Sequence, residues 1–385
     1  MQSFRFGNLK PFEGQSVSVK RPREITEFSY DDQHVQHQDG RSLRYYYPPF
    51  FDAPHGLKNR MVDLSNGFES FNKFVEAQDT RLYPLLDTLI KYEEAKKTKL
   101  DPTVITWRGM MTKILSAPFD AFGEFKMNAT YFDGTIFIEE DFASKHAEES
   151  QSRRQQHGAH SQEKMQYWGY KFETLSTLPR PWAECSRDEI EDRDSEIVSN
   201  HAQYCSVVHT GLGQHRIVLG GEVDAVQGCK PDDPDQAKPY VELKTSEDFH
   251  PNDNRSALKF ERKLCRFWAQ SFLLGVPQII VGLRNKDGIL QRMMELKTLD
   301  IPKLVKQNTQ AWDAWICISF ADKFLSFLKE HITEDGVCWS ISREKGKPEI
   351  LLQRRDDISC QDIVPSKFRT HRADSKFEKS LFEES

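Results

Sequence analysis

The chain has 385 residues, of which 38% are hydrophobic, so it can bury a substantial core. Its formal net charge of −6 argues against a protein that coats nucleic acid through bulk positive charge, but not against an enzyme with a local basic site. No apolar run approaches the roughly 20 residues that span a bilayer, no signal peptide is visible, and the seven cysteines form no CxxC pair. The composition therefore predicts a soluble intracellular protein with reduced thiols.

The first part of the chain predicts irregular structure followed by helices. Residues 1–40 are polar with scattered aromatic residues and predict loop or short strand. Their basic cluster, Lys20-Arg21-Pro22-Arg23, is either a targeting signal or solvated surface. Helices are predicted from about Arg81 to Lys97, where leucines recur at helical spacing, and from Val104 to Leu115.

A hairpin and a polar insertion come next. The alternating pattern from Phe125 to Glu139 predicts a hairpin that turns at Asp133-Gly134, a dipeptide favoured by type I′ turns. Residues 143–165 contain almost no apolar side chain, which predicts an exposed insertion within a domain.

The rest of the chain mixes strands and helices. Strands are predicted at residues 166–174, 203–209, 215–227, 239–245, 278–284 and 289–297, the last two as a hairpin. Helices are predicted from Ser256 to Leu274 and from Ala311 to Glu330. The charged segment 366–385 predicts a disordered tail. No repeat or clean boundary is visible, so residues 1–365 are predicted to form a single mixed α/β domain with central β-sheets flanked by helices.

Two short acidic strands are the most informative feature of the sequence. The apolar segment that begins at Arg216 leads into Glu222-Val-Asp224, and strand alternation places both acids on one face. The next predicted strand contains Glu242-Leu-Lys244, again with both charged residues on one face. If these strands pair, three carboxylates and one ammonium group converge.

Carboxylates that crowd together repel one another, and a divalent cation that prefers oxygen ligands, such as Mg²⁺ or Mn²⁺, relieves the repulsion. Two such ions can activate a water and stabilise both oxygens of a phosphoryl transfer, while Lys244 orients the water or neutralises phosphate charge. The alternative is that Glu222 and Asp224 face solvent on an edge strand and pair with Lys244. An ExD strand followed by an ExK strand resembles the PD-(D/E)xK nuclease core and favours the metal site.

Glu173 and Arg108 are ambiguous when each is taken alone. Glu173 ends a segment from Tyr167 whose aromatic residues predict a strand buried on both sides, although a surface strand end would look the same. Arg108 lies between Trp107 and Gly109, where it would either clamp a phosphate or form an interior ion pair.

The predicted helix 256–274 carries a basic stripe. Lys259, Lys263, Arg266 and Gln270 fall on one narrow face, next to a face of large apolar residues. The stripe either grips a phosphate backbone near the acids or is a solvated helix face.

Considered together, these segments resemble the DXO family of RNA 5′-end decapping and pyrophosphohydrolase enzymes. The chain looks closest to the fungal members that partner the nuclear 5′→3′ exoribonuclease. The matching segments run in order along nearly the whole chain: Arg44-Tyr-Tyr-Tyr-Pro-Pro, Thr106-Trp-Arg-Gly-Met-Met-Thr-Lys, Gly169-Tyr-Lys-Phe-Glu173, Tyr204-Cys-Ser-Val, Gly221-Glu-Val-Asp224, Tyr240-Val-Glu-Leu-Lys-Thr-Ser246 and Trp268-Ala-Gln-Ser-Phe-Leu.

The resemblance implies two sets of site residues. The implied metal ligands are Glu173, Glu222, Asp224, Glu242 and the main-chain oxygen of Leu243. The implied contacts to the RNA 5′ nucleotides and phosphates are Trp107, Arg108, Gly109, Cys205, Lys244 and Gln270. Judged by itself, Cys205 is also consistent with a small buried thiol on a strand.

The activities implied by the resemblance are removal of pyrophosphate from 5′-triphosphorylated RNA, of unmethylated caps and of NAD caps, with RNA degradation from the 5′ end in some members. Which bond is cut depends on which phosphorus lies over the metal ions. The resemblance further implies a nuclear location and an exoribonuclease partner, and no membrane association is expected. Two alternatives stay open: a DNA nuclease with the same core, or a chain that acts chiefly as a stabilising partner of the exoribonuclease.

Overall fold

The computed structural model describes residues 1–49, 61–74, 81–144, 160–233, 235–250, 253–374 and 377–379. In chain order, the strands are β1 (Gln2–Arg5), β2 (Val19–Tyr30), β3 (Gln36–His37), β4 (Tyr45–Tyr46), β5 (Val62–Asp63), β6 (Thr98–Lys99), β7 (Val104–Trp107), β8 (Phe125–Phe132), β9 (Thr135–Glu140), β10 (Thr177–Leu178), β11 (Gln203–Leu212), β12 (His215–Glu222), β13 (Ala225–Val226), β14 (Tyr240–Glu247), β15 (Gln278–Arg284), β16 (Ile289–Lys297), β17 (Cys338–Arg343), β18 (Glu349–Arg355) and β19 (Glu378–Lys379).

The α-helices whose full extent is described are α1 (Tyr83–Lys96), α2 (Arg108–Ser116), α3 (Gln162–Leu175), α4 (Arg187–Glu191), α5 (Asn254–Leu274), α6 (Ile301–Gln307), α7 (Ala314–His331), α8 (Cys360–Ile363) and α9 (Ser366–Asp374). Within the described part of the chain, none of the helices is both long and apolar enough to cross a membrane.

Two β-sheets organise the domain. The larger sheet has the strand order β1-β18-β17-β8-β9-β7-β12-β11-β2-β3, and the smaller has the order β10-β4-β13-β14-β15-β16-β5. Strand β7 lies between β9 and β12 and is parallel to both, and β14 is parallel to β15. The predicted mixed α/β architecture with central sheets and flanking helices is confirmed.

Apolar side chains divide the domain into layers. The largest cluster joins both sheets to α2, α5 and α7, a second lies between the larger sheet and helices α1 and α9, and a third packs α3 against the smaller sheet.

The alternating side chains of strand β14 point to two different faces of the smaller sheet. Val241 and Leu243 pack towards α3, whereas Tyr240 belongs to the largest cluster, so Glu242 lies on the same side of the strand as Tyr240.

The chain passes from the larger sheet to the smaller one at residues 222–225, which we call the crossover. Strand β12 ends at Glu222, and β13 begins at Ala225 and pairs antiparallel with β14. Val223 is 3% exposed, and its N–H donates to the Tyr204 carbonyl over 3.0 Å. The sequence predicted one strand over 215–227, and the break at Val223 instead places both acids where the sheets meet.

Most of the predicted elements are present. Helix α1 and the β8–β9 hairpin are confirmed, and the positive φ angles of Asp133 and Gly134 (50° and 86°) fit the predicted turn. Helix α5 and the β15–β16 hairpin are also confirmed. Helix α7 begins at Ala314, three residues later than predicted. The Asp313 carboxylate accepts the N–H of Trp315 over 2.8 Å and so caps the start of this helix.

The prediction of a single helix from Val104 to Leu115 is wrong in its first part. Residues Val104–Trp107 form β7, and helix α2 begins at Arg108. Val104, Ile105 and Thr106 are β-branched and buried, and such side chains pack well in a central strand. Trp107 and Arg108 therefore lie at a junction between strand and helix.

The predicted strand at 166–174 is wrong, because these residues belong to α3. The Ser161 hydroxyl accepts the N–H of Lys164 over 3.2 Å and caps the helix. The buried side chains follow helical spacing: Tyr167, Trp168, Lys171, Phe172 and Leu175. The helix also takes in the end of the predicted insertion, of which residues 145–159 lie outside the described residues.

Two other predictions of irregular structure are corrected. Within residues 1–40, β2 is a strand of 12 residues that pairs along β11, and Pro22 is tolerated at an irregularity of this pairing between His209 and Gly211. The predicted disordered tail contains helix α9, in which Phe368 is 0% exposed.

Candidate active site

Strand β14 places two charged side chains of the site. Glu242 is fully buried, and its Oε2 accepts a hydrogen bond of 2.9 Å from Arg108 Nη1. Its Oε1 lies 2.6 Å from Lys244 Nζ. Burial alone would raise the pKa of Glu242, but Arg108 and Lys244 outweigh burial and hold this pKa below its ordinary value. Glu242 is therefore kept as a carboxylate.

Asp224 reaches the same place from the crossover. Its Oδ2 accepts the backbone N–H of Leu243 over 2.6 Å and lies 3.6 Å from Lys244 Nζ. The expected convergence of Asp224, Glu242 and Lys244 is thus observed, and it depends on the antiparallel pairing of β13 with β14. The pKa of Lys244 is raised because the attraction of Asp224 and Glu242 exceeds the effect of burial.

Glu222 forms the solvent side of the site. It pairs with Cys205 in the β11–β12 register, and it is exposed to solvent. Desolvation by the protein around the carboxyl group, followed by repulsion from Asp224, raises the pKa of Glu222 to about 7. Near neutral pH the group therefore gains or loses a proton readily.

Glu173 lies in the last turn of α3. This helix packs on the face of the smaller sheet that carries Val241 and Leu243, opposite to the face that carries Glu242. Burial and then the charge of Asp224 raise the pKa of Glu173 well above its usual range, while Lys244 opposes the shift. Four carboxyl groups thus act on one another beside two cations. Ionising all four leaves excess negative charge, which a further cation would relieve.

Two glycines that sequence reasoning missed allow the basic side of the site to form. A Cβ atom on Gly220 would lie 2.7 Å from a ring carbon of Trp107, and one on Gly221 would lie 2.9 Å from the Arg108 Cβ. The Gly220-Gly221 dipeptide was the signal in the sequence, because glycine within a strand often marks a place that another group approaches closely. At Gly109, by contrast, the space is open.

The environments of the other residues that the resemblance implied for RNA contact differ from one another. Trp107 is half-buried, and its indole N–H donates to the Arg81 carbonyl over 3.3 Å. Cys205 is buried opposite Glu222, and burial together with that neighbour raises the pKa of the thiol. The protonated thiol form of Cys205 is therefore favoured. Gln270 is half-buried on α5.

The basic stripe of α5 runs along the far end of β14. Lys259 Nζ lies 2.9 Å from a carboxylate oxygen of Glu247, and Lys263 Nζ donates to the Ser246 hydroxyl over 3.2 Å. Arg266 pairs with Asp120. The stripe is therefore exposed but paired with polar groups, so it is not a purely solvated helix face.

The donor set fits a hard divalent cation. Glu242 Oε1 is buried without a well-formed hydrogen bond, even though Lys244 Nζ is near, and a carboxylate oxygen is the kind of ligand that such a cation prefers. Among the described residues, no group of three or more His, Cys, Asp or Glu side chains is arranged closely enough to hold a metal ion without side-chain movement. Arg108, Lys244 and the Leu243 N–H instead lie against the oxygens of Glu242 and Asp224.

Comparison with known proteins decides the family. A family described as "RAI1 like PD-(D/E)XK nuclease" matches residues 20–369. The chain belongs to the RAI1-like PD-(D/E)XK nuclease family. It is 46% identical over 362 residues to the decapping nuclease RAI1 of Neurospora crassa, covering 94% of this chain and 85% of that protein. The resemblance to the DXO family and the predicted nuclease core are confirmed.

Solved structures agree with this assignment. The Candida albicans Rai1 complex with pU5-Mn²⁺ has a TM-score of 0.85 at 28% identity, covering 94% of this chain and 97% of that one. The Scheffersomyces stipitis Rai1 complex with (3′-NADP)⁺ and a calcium ion has a TM-score of 0.83 at 28% identity, covering 93% and 97%. This RAI1-like chain is a decapping nuclease, a hydrolase that acts on RNA 5′ ends.

Proposed function

We propose that this RAI1-like chain removes pyrophosphate from 5′-triphosphorylated RNA, and removes incomplete and NAD caps, at the centre formed by Glu173, Glu222, Asp224 and Glu242. The observation that carries the proposal is the fully buried Glu242, which shares Lys244 with Asp224 and is bonded to Arg108. The relatives that bind pU5 with Mn²⁺ and (3′-NADP)⁺ with calcium support both phosphorylated RNA and a nicotinamide dinucleotide as ligands.

The four carboxylates and the Leu243 carbonyl would hold Mg²⁺ or Mn²⁺, with two ions as the expected number. When bound, such ions supply an activated water and charge stabilisation at the phosphorus. Glu242 suits ligation because Arg108 and Lys244 keep it ionised. Glu222 exchanges protons near neutral pH, so it suits a ligand or base on the solvent side.

Arg108 and the start of α2 would bind the substrate phosphates. The first N–H groups of a helix have no acceptor within it and bind anions, and the open space at Gly109 lets a phosphate approach. Arg108 carries several donors and can bind a phosphate oxygen while one N–H stays on Glu242. Lys244, Trp107, Cys205 and Gln270 would line the path of the first nucleotides.

The test uses RNA with a 5′-triphosphate, an unmethylated cap or an NAD cap, each with Mg²⁺, Mn²⁺ or EDTA. Metal-dependent release of pyrophosphate, cap dinucleotide or NAD is expected from the wild type. It should be absent from Glu222→Ala/Asp224→Ala and retained by Asp232→Ala, an exposed acid nearby. Shortening of the RNA body would reveal exonuclease activity. Release of none of these products by the folded, metal-supplied wild type would overturn the proposal, and equal cleavage of DNA would favour the DNA-nuclease alternative.

We also propose that the chain resides in the nucleus and stabilises a 5′→3′ exoribonuclease there. The motifs shared with fungal enzymes that have this partner support the proposal, and catalysis and partnership are separable. The purified exoribonuclease should bind wild type and Glu222→Ala/Asp224→Ala equally and keep its activity longer in their presence. If it fails to bind either protein, the partner role is excluded.

A further inference from the structure

A polar network joins the two sheets beside the crossover. The hydroxyl groups of Tyr204 on β11 and Tyr240 on β14 lie 2.7 Å apart, and the Tyr240 hydroxyl donates to Glu24 Oε2 over 2.6 Å. Lys230, in the connection between β13 and β14, donates to the Tyr204 hydroxyl over 2.8 Å and lies 2.8 Å from Glu24 Oε1. The network therefore links β2 and β11 of the larger sheet to β14 of the smaller.

Two more side chains complete the network. The Ser206 hydroxyl donates to Glu24 Oε2 over 2.6 Å, and Glu27 accepts from both Lys230 and the Tyr204 hydroxyl. Tyr204 and Tyr240 are each 2% exposed, and burial raises the pKa of both phenols, so they stay protonated and can donate. Lys230 provides the positive charge between Glu24 and Glu27.

Each central member of the network is connected to an acid of the active site, either through a hydrogen bond or along the chain. The Tyr204 carbonyl accepts the N–H of Val223, the residue between Glu222 and Asp224. Tyr240 precedes Glu242 by two positions and therefore shares its face of β14. Lys230 lies in the first half of the segment that links Asp224 to Glu242, so its attachment fixes that part of the segment.

We propose that Tyr204, Tyr240, Glu24 and Lys230 form an inter-sheet clamp that positions Glu222 and Asp224 against Glu242. This proposal rests on the active site proposed above. The acids come from two different sheets, so their separation depends on how the sheets are held together at the crossover. Apolar packing between sheets tolerates small shifts, whereas hydrogen bonds of fixed length and direction do not. A misplacement of about 1 Å can cost about 100-fold in rate.

The network is a costly way to obtain stability alone. Burying charges carries a desolvation penalty, and apolar side chains of similar size often stabilise a protein as well or better. A clamp that sets the geometry of the acids explains why tyrosines, glutamates and a lysine occupy this position between two apolar sheets.

The test compares Lys230→Met and Tyr240→Phe with Lys238→Met. Lys238 lies in the same connection, but its ammonium group donates to the Pro231 and Asp233 carbonyls, so it controls for changes within the loop. We expect kcat on 5′-triphosphorylated RNA to fall about tenfold or more in the first two variants, with KM within about twofold. Mn²⁺ affinity, measured by calorimetry without RNA, should also fall. Lys238→Met should match the wild type, and Lys230→Arg should recover most of the lost kcat.

The outcomes separate a clamp from a structural role. In Lys230→Met/Tyr240→Phe the loss should not exceed that of the worse single variant, since both changes break one network. Wild-type kcat per folded molecule and wild-type Mn²⁺ affinity in Lys230→Met and Tyr240→Phe would overturn the clamp. If Lys230→Met fails to fold, Tyr240→Phe decides, because it removes only one oxygen atom.

Glu242→Gln in the same assays separates the clamp from the active-site proposal. If Glu242→Gln keeps Mn²⁺ binding and activity, the proposed site is wrong, and the clamp loses its purpose. If Glu242→Gln loses both while Lys230→Met and Tyr240→Phe resemble the wild type, the site stands and only the clamp is refuted.

Discussion

Arg108 Nη1 donates a 2.9 Å hydrogen bond to Glu242 Oε2, and this contact joins the start of α2 to the middle of β14. The carboxylate is fully buried, and the guanidinium is nearly so. Of the two interpretations of Arg108, the interior ion pair is therefore observed in the protein without substrate. The phosphate clamp remains a proposal, and the two roles are compatible because the guanidinium has further donors.

Replacing Arg108 with alanine should damage stability and activity together. Glu242 would lose one of its two cationic partners, and breaking a buried pair costs about 3–5 kcal/mol. We expect kcat/KM for phosphorylated RNA to fall about 100-fold or more, as when a donor that stabilises developing charge is removed. Arg108→Lys keeps the charge but not the geometry, so it should fold better than Arg108→Ala yet stay impaired. Urea unfolding and initial rates would measure this, and near-normal activity in Arg108→Ala would contradict it.

Alanine substitutions at Gly221 and Gly169 should have opposite effects on stability. A Cβ at Gly221 would meet Leu274 Cδ1 at 2.7 Å and the Arg108 Cβ at 2.9 Å, so overpacking should lower the free energy of unfolding by about 1–3 kcal/mol. A Cβ at Gly169, inside α3, would meet no atom within 4 Å outside the neighbouring helix backbone. Alanine there should raise the free energy of unfolding by up to about 1 kcal/mol through its higher helix propensity. Denaturant unfolding of both variants checks the signs, and a Gly221→Ala protein as stable as the wild type would refute the close approach.

The acidic centre could be predicted from spacing because strand alternation is a local property. Glu242 and Lys244 lie where the pattern placed them, and Asp224 meets them through the predicted pairing. Glu173 was linked to the other acids only through the resemblance, because its aromatic neighbours fit a two-sided strand as well as one side of a helix. The clamp at Tyr204 and Tyr240 could not be predicted, since it depends on contacts between distant segments.

Glu139 should make stability depend on pH. It is buried at the end of β9, where its Oε2 accepts the N–H of Leu82 over 3.2 Å, and burial raises its pKa from 4.5 to about 7. The folded protein therefore holds a proton that the unfolded chain releases between these values. Stability contributed by this group is present below pH 4.5 and is lost as pH rises towards 7, by about 3 kcal/mol at most.

Glu139→Gln should remove this dependence while keeping an acceptor for Leu82. Relative to the wild type, the variant should gain stability progressively from pH 5 to pH 8. Urea unfolding at four pH values would show diverging curves, whereas parallel curves would mean that Glu139 ionises normally in the folded protein.

The C-terminal helix α9 shows why a charged segment can be ordered. Its composition predicted disorder, yet Phe368 packs against Phe137 with ring centroids 5.7 Å apart, and Arg372 Nη2 lies 2.7 Å from Glu93 Oε1. A buried aromatic contact and a buried ion pair help to hold the helix, and neither is visible in local hydropathy, because each depends on a partner far away in the chain.

Phe368→Ala should therefore be strongly destabilising. Deleting a fully buried phenylalanine costs about 3–5 kcal/mol, because apolar contact is lost and a cavity remains. Lys367→Ala, the adjacent control, removes only a surface ion pair of 3.0 Å with Asp87 and should change stability by less than about 1 kcal/mol. Calorimetry and urea unfolding should agree on this order. Equal, small effects of the two substitutions would mean that α9 does not pack on α1 and the larger sheet in solution.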